Sequence, residues 1–353
     1  METETNRILR DTAIRIFDTP RVAAGHTLGQ PGLWPAAQWD AIEDAGLPLA
    51  LVPEAKGGFG LPIQEALDLI RIAGTCAVPL PFAESLLAHR IAAEAGLEPS
   101  CGPLTLAPVL PADRLVLERR DGVWKLSGVA HRVPWGRHAP ALVLASAPDG
   151  LYVARVQPEQ ATVTPGTNLA DEPRDTLHYA DTRLADAAVA PAGAFTLDAL
   201  EMLGATARSL AMAGALERIL QMTLDYAGQR TQFGRPIGQF QAIQHHLAVM
   251  AGQTAAARAA AAMATETVAD HLCALAVGAA KIRCGEAAGA GAAIAHQVHG
   301  AMGFTREHSL HHFTKRLWSW RDEFGSEAQW SRRIGHEVAR VGADGLWPLV
   351  TTL

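Results

Sequence analysis

Cysteine is scarce in this sequence. The four residues, at 76, 101, 273 and 284, never fall in a CxxC pair, and that spacing suits free thiols in a reducing compartment. Positive charge is not concentrated either. Thirty Lys and Arg stand against 36 Asp and Glu, for a net charge of −6, with no basic stripe to follow nucleic acid and no polybasic run to meet an anionic membrane. Long apolar runs are missing: the most apolar one, near Ala287–Val298, is too short for a bilayer and consists mostly of Ala and Gly. The start, METETNRILRD, has no apolar core of a secretory signal, so a soluble cytoplasmic protein is expected. Several catalytic signatures are absent too. "GGFG" at 57–60 lacks the lysine and the strand-to-helix context of a phosphate loop, and neither Ser209 nor Ser326 sits in a GxSxG elbow.

What is present is a globular composition, 49% hydrophobic and 19% charged over 353 residues, enough for two or three domains. Up to about residue 103 the pattern is helical: in "IQEALDLIRIAG" the apolar residues Ile63, Ala66, Leu67, Ile70 and Ala73 share one helix face. A second such run, "PFAESLLAHRIAAEAGL", stops at Gly96. From 104 to 192 the runs become short, β-branched and alternating ("RLVLER", "ALVLAS", "GLYVAR"). Asp121-Gly122 and Asp149-Gly150 are hairpin dipeptides within it. From 193 to 353 helix returns, with one stripe through Leu200, Leu203, Ala207, Leu210, Gly214, Leu220, Leu224 and Ala227. A second opens at Phe240, Ile243, Leu247 and Met250, and an Ala-rich third is joined to it near Asp270. No repeat of fixed period is seen. The expectation is an α+β chain: an N-terminal α-helical domain (1–103), a small central antiparallel β domain (104–192) and a C-terminal up-down helical bundle (193–353).

Two stretches are denser than connectors need to be. "RTQFGRPIGQFQAIQHHLAVM", Arg230–Met250, puts an arginine, glutamines and phenylalanines around a turn between two helices. A guanidinium fork suits a phosphate, and the amides at the next helix start would add donors. An arginine capping a helix C-terminus above a packed loop explains the same residues. "HQVHGAMGFTREHSLHHFTKRLWSW", 296–320, holds five histidines: His296, His299, His308, His311 and His312. The spacing is not HExxH, no cysteine is adjacent, and His311 and His312 are expected on different sides of a helix, so a metal site is not expected. Gly300 and Gly303 suggest a helix end where backbone approaches something closely, or simply a tight corner. Trp318, Trp320 and Trp330 are expected to pack on the bundle.

At these two stretches, and at "LPLALVPEAKGGFGLP" near the N-terminus, the sequence resembles the acyl-CoA dehydrogenase family of flavoproteins. The likeness covers nearly the whole chain. It implies FAD at a subunit interface, with Arg230 and Phe233, and Gln232 between them, holding the dinucleotide of a neighbouring subunit. Gln297 and Gly300 would line the same dinucleotide, with Ala301 where a second glycine is usual. It also implies an acyl-CoA substrate, reoxidation by an electron-transfer flavoprotein, and a tetramer of such subunits. The chemistry is α-proton abstraction by a buried carboxylate with hydride transfer from the β-carbon to the flavin.

The sequence departs from that family where chemistry is done. Counted from Gln297, the usual catalytic Glu position is Phe324, followed by the retained Gly325. The alternative position on the preceding helix is Gly204, with Ala205 where an arginine occurs in some members. Glu201 and Glu323 are the carboxylates nearest to these positions, and the simpler reading of each is a surface residue. The Gly-Ser-Asp loop against the flavin ring is missing from "LTLAPVLPADRL", where Thr105 is what remains. The leading expectation is therefore the residue-poor subunit of a hetero-oligomeric acyl-CoA dehydrogenase acting on a bulky, steroid-type acyl-CoA. The rivals are a self-sufficient homotetramer with a relocated Glu base, and a non-catalytic scaffold on the same fold.

Overall fold

The computed structural model describes residues 4–18, 33–270 and 272–351. In chain order come α1 (Glu4–Phe17), α2 (Ala36–Asp44), α3 (Ile63–Thr75) and α4 (Phe82–Glu94), then eight strands between Thr105 and Pro191. After the strands come α5 (Leu197–Gln229), a two-strand turn, α6 (Gln241–Asp270), α7 (Ala274–His299), α8 (Leu310–Trp320) and α9 (Glu327–Thr351). The helices–sheet–helices order and the α+β class are those the sequence predicts. Contacts divide the chain into two compact units, whose described residues fall within Met1–Ile16, His26–Ala66 and Pro79–Gly204 for the first, and Phe17–Gly25, Leu67–Val78 and Ala205–Leu353 for the second.

In the first unit α4 is buried nearly all round, from Phe82 to Ala93. It ends as expected: Ala95 is still helical, Gly96 takes φ 85°, and Leu97 N–H bonds back to Ala92 O at 2.9 Å. The strands are β1 (Thr105–Leu106), β2 (Arg114–Arg120), β3 (Val123–Pro134), β4 (Ala141–Ala147), β5 (Gly150–Val156), β6 (Thr162–Thr164), β7 (Arg174–Leu184) and β8 (Val189–Pro191). They form one sheet in the order β6-β7-β3-β2-β4-β5-β8, with β1 beside β4. Most pairs are antiparallel, but β1–β4 and β2–β4 are parallel, so the sheet is mixed rather than purely antiparallel. Hairpin dipeptides announce only pairings between chain neighbours, and these two pairings are not local. The first dipeptide works as read: Arg120 pairs with Val123, leaving Asp121 (φ 52°) and Gly122 (φ 78°) as the turn. In the second hairpin Ala147 pairs with Gly150, so the turn is Pro148-Asp149, one residue earlier than the glycine suggested. Leu117, Leu126, Val133, Val143, Ala154 and Leu177 alternate inward to make the core.

In the second unit the segment Leu67–Thr75 of α3 crosses α5 through a reciprocal pair of glycines. A Cβ on Gly74 would overlap the backbone of Ala211, and one on Gly214 would overlap the backbone of Arg71. Arg71 pins the crossing by donating to Glu217 at 2.6 Å and to Asp68 at 2.6 Å. α6 and α7 pack against each other, and Gly291 of α7 faces Leu216 of α5. Leu224 leaves the predicted stripe and is 42% exposed. Trp320 and Trp330 are buried, whereas Trp318 is 36% exposed. α9 contains a kink at Gly342 (φ 71°). Among the described residues no helix is long and apolar enough to cross a membrane.

The crossing allows a direct check. A side chain at residue 214 has to push two backbones apart, a form of overpacking that costs about 1–3 kcal/mol or more. Gly214→Val is expected to lower the unfolding free energy by at least about 1–3 kcal/mol, read as a lower urea midpoint, while Gly228→Ala, on the same helix with nothing within 4 Å of where its Cβ would be, leaves the midpoint unchanged or raises it.

Candidate functional site

The first dense stretch forms a tighter object than a helix–helix connector. α5 stops at Gln229, and Thr231–Gln232 (β9) then pairs antiparallel with Arg235–Pro236 (β10). Phe233 (φ 51°) and Gly234 (φ 78°) are the two turn residues between them. Two positive φ values are the signature of a primed hairpin turn, and a phenylalanine is an uncommon occupant of one. Ile237 N–H donates to Arg230 O at 2.8 Å and closes the loop. The Arg235 guanidinium lies 4.2 Å over the Phe240 ring, and Phe240 meets Phe233 edge-on at 6.2 Å. The backbone is thus fixed while the tip faces outward: Phe233 is 93% exposed, and Arg230 and Gln232 are exposed beside it. Among the described residues Arg230 has no acidic partner in an ion pair.

The second stretch ends α7. Gly300 takes φ 59° and ψ −141°, a conformation open only to glycine at low cost. Nothing lies within 4 Å of where its Cβ would be. Gly300–Phe304 then forms a short 3-10 turn. Gln297, Gly300 and Ala301 are exposed, with Met302 at 50% and Phe304 at 69%. One contact brings the two stretches together. The Tyr226 ring, one helical turn before Arg230, stacks on the His299 ring at 4.5 Å with 26° between planes. Arg230, Gln232 and Phe233 therefore stand on one side of that stack and Gln297, Gly300 and Ala301 on the other.

The histidines pack on one another and on aromatic rings. His296 stacks on Phe304 at 4.2 Å and on Trp318 at 5.9 Å, and His299 meets His308 edge-on at 4.8 Å. His311 and His312 have ring centroids 3.9 Å apart. This corrects the expectation that they point to different sides: both lie in the first turn of α8, where the chain has just turned. Burial pushes His296, His299 and His308 below the ordinary imidazole value and His312 down to about 3, with the neighbouring imidazoles and, for His312, Arg316 and Lys315 adding to the effect. No group of His, Cys, Asp or Glu able to hold a metal occurs among the described residues.

The carboxylate candidates fare differently from expectation. Glu323 is not a surface residue. It is 8% exposed, and one oxygen accepts a 2.6 Å bond from Arg208 Nε, itself 4% exposed. That bond ties one of its two oxygens to α5. Glu201 is half-buried on the first turns of α5. Phe324 is held in the left-handed region (φ 53°). Its carbonyl accepts from Trp330 Nε1 at 2.9 Å, and its ring lies 5.6 Å from the Arg208 guanidinium. Lys281, fully buried on α7, donates to Arg321 O at 2.6 Å and Gly325 O at 2.7 Å, clamping the turn from both ends. In the first unit Thr105 is buried and its hydroxyl donates to Pro134 O at 2.6 Å, which commits it to backbone. Sequence reasoning missed Arg208, Lys281 and Tyr226. The signal for the first two was a cation set in an Ala- and Gly-rich stretch ("ATARSLAMAG", "VGAAKIRCG"), where burial makes the charge tolerable only with a partner.

Comparisons with known proteins come to the same place. Residues 198–330 match the family model described as acyl-CoA dehydrogenase, C-terminal domain. The chain is 30% identical over 298 residues to acyl-CoA dehydrogenase IpdE2 of Mycobacterium tuberculosis, covering 84% of each chain. Among solved structures it resembles the ChsE4-ChsE5 complex from Mycobacterium tuberculosis, with a TM-score of 0.86, 25% identity and coverage of 97% and 99% of the two chains. It also shares its fold with the Tcur3481-Tcur3483 steroid ACAD, with a TM-score of 0.82 and 24% identity over 96% of this chain and 98% of that one.

The Lys281 clamp makes two measurable claims. Lys281→Met leaves two buried carbonyls without donors and is expected to lower unfolding free energy by about 2–4 kcal/mol, read by urea denaturation. Burial also lowers the ammonium from 10.5 to about 8. Between these values the unfolded chain holds a proton that the folded chain has lost, so wild-type stability rises with pH there relative to Lys281→Met. The limiting slope is about 1.4 kcal/mol per pH unit, and the contribution is flat below pH 8.

Proposed function

The chain belongs to the acyl-CoA dehydrogenase family, and from that premise we propose that it is the cofactor-completing half of a hetero-oligomeric acyl-CoA dehydrogenase. Its partner is a homologous subunit, and its substrate a bulky, steroid-type acyl-CoA. The observation that supports this reading is the Tyr226–His299 stack at 4.5 Å, which joins the ends of the two helices from which the two exposed turns leave. FAD suits what those turns offer. The exposed Arg230 guanidinium is a fork for a pyrophosphate, the Phe233 ring is 93% exposed, and Gly300 leaves its backbone open. When bound, FAD supplies the hydride acceptor for α,β-dehydrogenation. This chain's part is to bind and orient: Arg230, Gln232 and Phe233 from one turn, and Gln297, Gly300 and Ala301 from the other.

The same reading accounts for the residues that do no chemistry. A base must be near its proton and able to accept it. Phe324 has no titratable group, Gly204 has no side chain, Glu323 is bonded to Arg208, and Thr105 is bonded to Pro134 O. In this reading the base and the flavin-ring contacts are supplied by the partner. A solved complex of two differently named chains among the relatives supports a hetero-oligomer. The steroid-type substrate rests on analogy at the level of fold. An electron-transfer flavoprotein as the reoxidant comes with the family.

Co-expression with the homologous subunit is expected to give a yellow, active complex, and expression alone a colourless one. Yellow, active protein from this chain alone would sink the half-site role, and no flavin under any pairing would leave only a scaffold. In the complex, Arg230→Gln removes one charge-assisted contact and should weaken flavin retention by about 10- to 100-fold, the scale of a hydrogen bond to a charged group. Glu323→Gln should lower the Tm yet leave turnover within about twofold, because a carboxylate held by Arg208 is structural in this reading.

A further inference from the structure

Five imidazoles lie between His296 and His312, and they face one another and neutral rings rather than carboxylates. His299 is 2% exposed. Its Nδ1 donates to Ala295 O at 2.8 Å, and its Nε2 is buried without a hydrogen-bond partner. His296 is 8% exposed; its Nε2 pairs with Thr314 Oγ1 at 2.9 Å, and its Nδ1 is buried and unpartnered. His308 Nδ1 accepts from Leu310 N–H at 3.1 Å, which requires its lone pair to be free of a proton. The ring-to-ring distances run from 3.9 to 5.9 Å.

The charges around the cluster are of one sign where they are close. On α8, Lys315 and Arg316 bear on His312, and Arg316 also donates to His312 O at 3.0 Å. From α5 the facing group is the neutral phenol of Tyr226, and its neighbour Asp225 is bonded to Gln221 at 2.9 Å. On the intervening segment Arg306 and Glu307 are exposed. On the last two turns of α7 the titratable groups are His296 and His299 themselves. Among the described residues no carboxylate is in place to pair with a charged imidazole here. A proton added to His296 or His299 meets neighbouring rings at stacking distance with little water to screen it.

We propose that this imidazole cluster is an acid-sensitive latch: in mild acid the rings charge, the segment 300–309 releases from α7 and α8, and the Gln297–Ala301 turn loses its place beside the Arg230–Phe233 turn. The packing of neutral rings is what holds the segment down, since the Gly300–Phe304 turn itself is exposed at Ala301, Met302 and Phe304. The direction follows from proton uptake. Burial lowers His296, His299, His308 and His312 in the closed state, so the open state binds more protons below the ordinary imidazole value near 6.5, and acid favours opening. Above that value the latch is fully closed. Release of the segment is a property of this chain alone; its consequence, loss of FAD in acid, rests on the function proposed above.

The test is hydrogen–deuterium exchange on the full chain at pH 7.5, 6 and 5, corrected for the intrinsic pH dependence of exchange. Each histidine charged only in the open state raises the opening equilibrium by up to about tenfold per pH unit, so two or more give roughly a 100-fold loss of protection in residues 296–309 between pH 6 and 5. The sheet between residues 105 and 191 should keep its protection. His299→Phe keeps a flat ring on Tyr226 but cannot charge, and it should reduce the pH dependence. His308→Gln, a milder change, should do so as well if His299→Phe folds poorly. Equal protection of 296–309 at pH 7.5 and 5, loss of protection in step with the sheet, or an undiminished pH dependence in both variants would each overturn the latch. None of these results bears on whether the co-expressed complex is yellow, so the latch and the half-site role fail separately.

Discussion

Two long helices reach the end of their run beside one another, with one ring of each stacked on the other. Tyr226 of α5 and His299 of α7 are stacked at 4.5 Å, and both helices stop within four residues of that contact. Each helix then needs an exit that does not disturb the stack. One exit is a two-strand hairpin with positive φ at Phe233 and Gly234, and the other is Gly300 with positive φ followed by a 3-10 turn. The exposed Arg230, Phe233, Gln297 and Gly300 follow from these exits. Aromatic pairs are worth only about 0.5–1.5 kcal/mol beyond burial, so the role of this one is to set position rather than to supply stability.

The turn around Phe324 shows the opposite design. It is closed by bonds that reach across the second unit: Lys281 to the carbonyls at both ends, Trp330 to the Phe324 carbonyl, and Arg208 to Glu323. Burying an ammonium and a guanidinium is expensive unless each finds full hydrogen-bond partners, and here they find carbonyls and a carboxylate. The result is a rigid, aromatic-plugged turn at the place where the family resemblance leads one to look for a base. The open outward-facing turns and the locked inward turn are the two features on which the half-site role proposed above rests.

Much of this was legible in the sequence, for reasons that can be named. Helix periodicity marked α3 through Ala66, Leu67, Ile70 and Ala73, all of them buried, because a period of 3.6 residues is a local property. Asp121-Gly122 announced its hairpin because positive φ is written into those residue types. Other features were not legible. Asp149-Gly150 misled by one residue, since the preceding proline took over the turn. The parallel pairings of β4 had no local signature at all. Glu323 read as a surface carboxylate because its charge was visible and its partner was not.

The sequence by itself determined the order of helices and strands, the two turns rich in glycine, arginine and aromatics, and the absence of a carboxylate at residues 204 and 324. All of these are properties of residue type and short spacing. Only the tertiary structure decided that the helix ends carrying the two turns meet at Tyr226 and His299, that Glu323 is bonded to Arg208, and that the histidines between 296 and 312 pack on one another and on aromatic rings. Those facts depend on meetings between residues far apart in the chain, 115 residues for Arg208 and Glu323. Such meetings are fixed by how closely helices pack, down to the two glycines that let α3 and α5 touch, and not by any pattern along the chain.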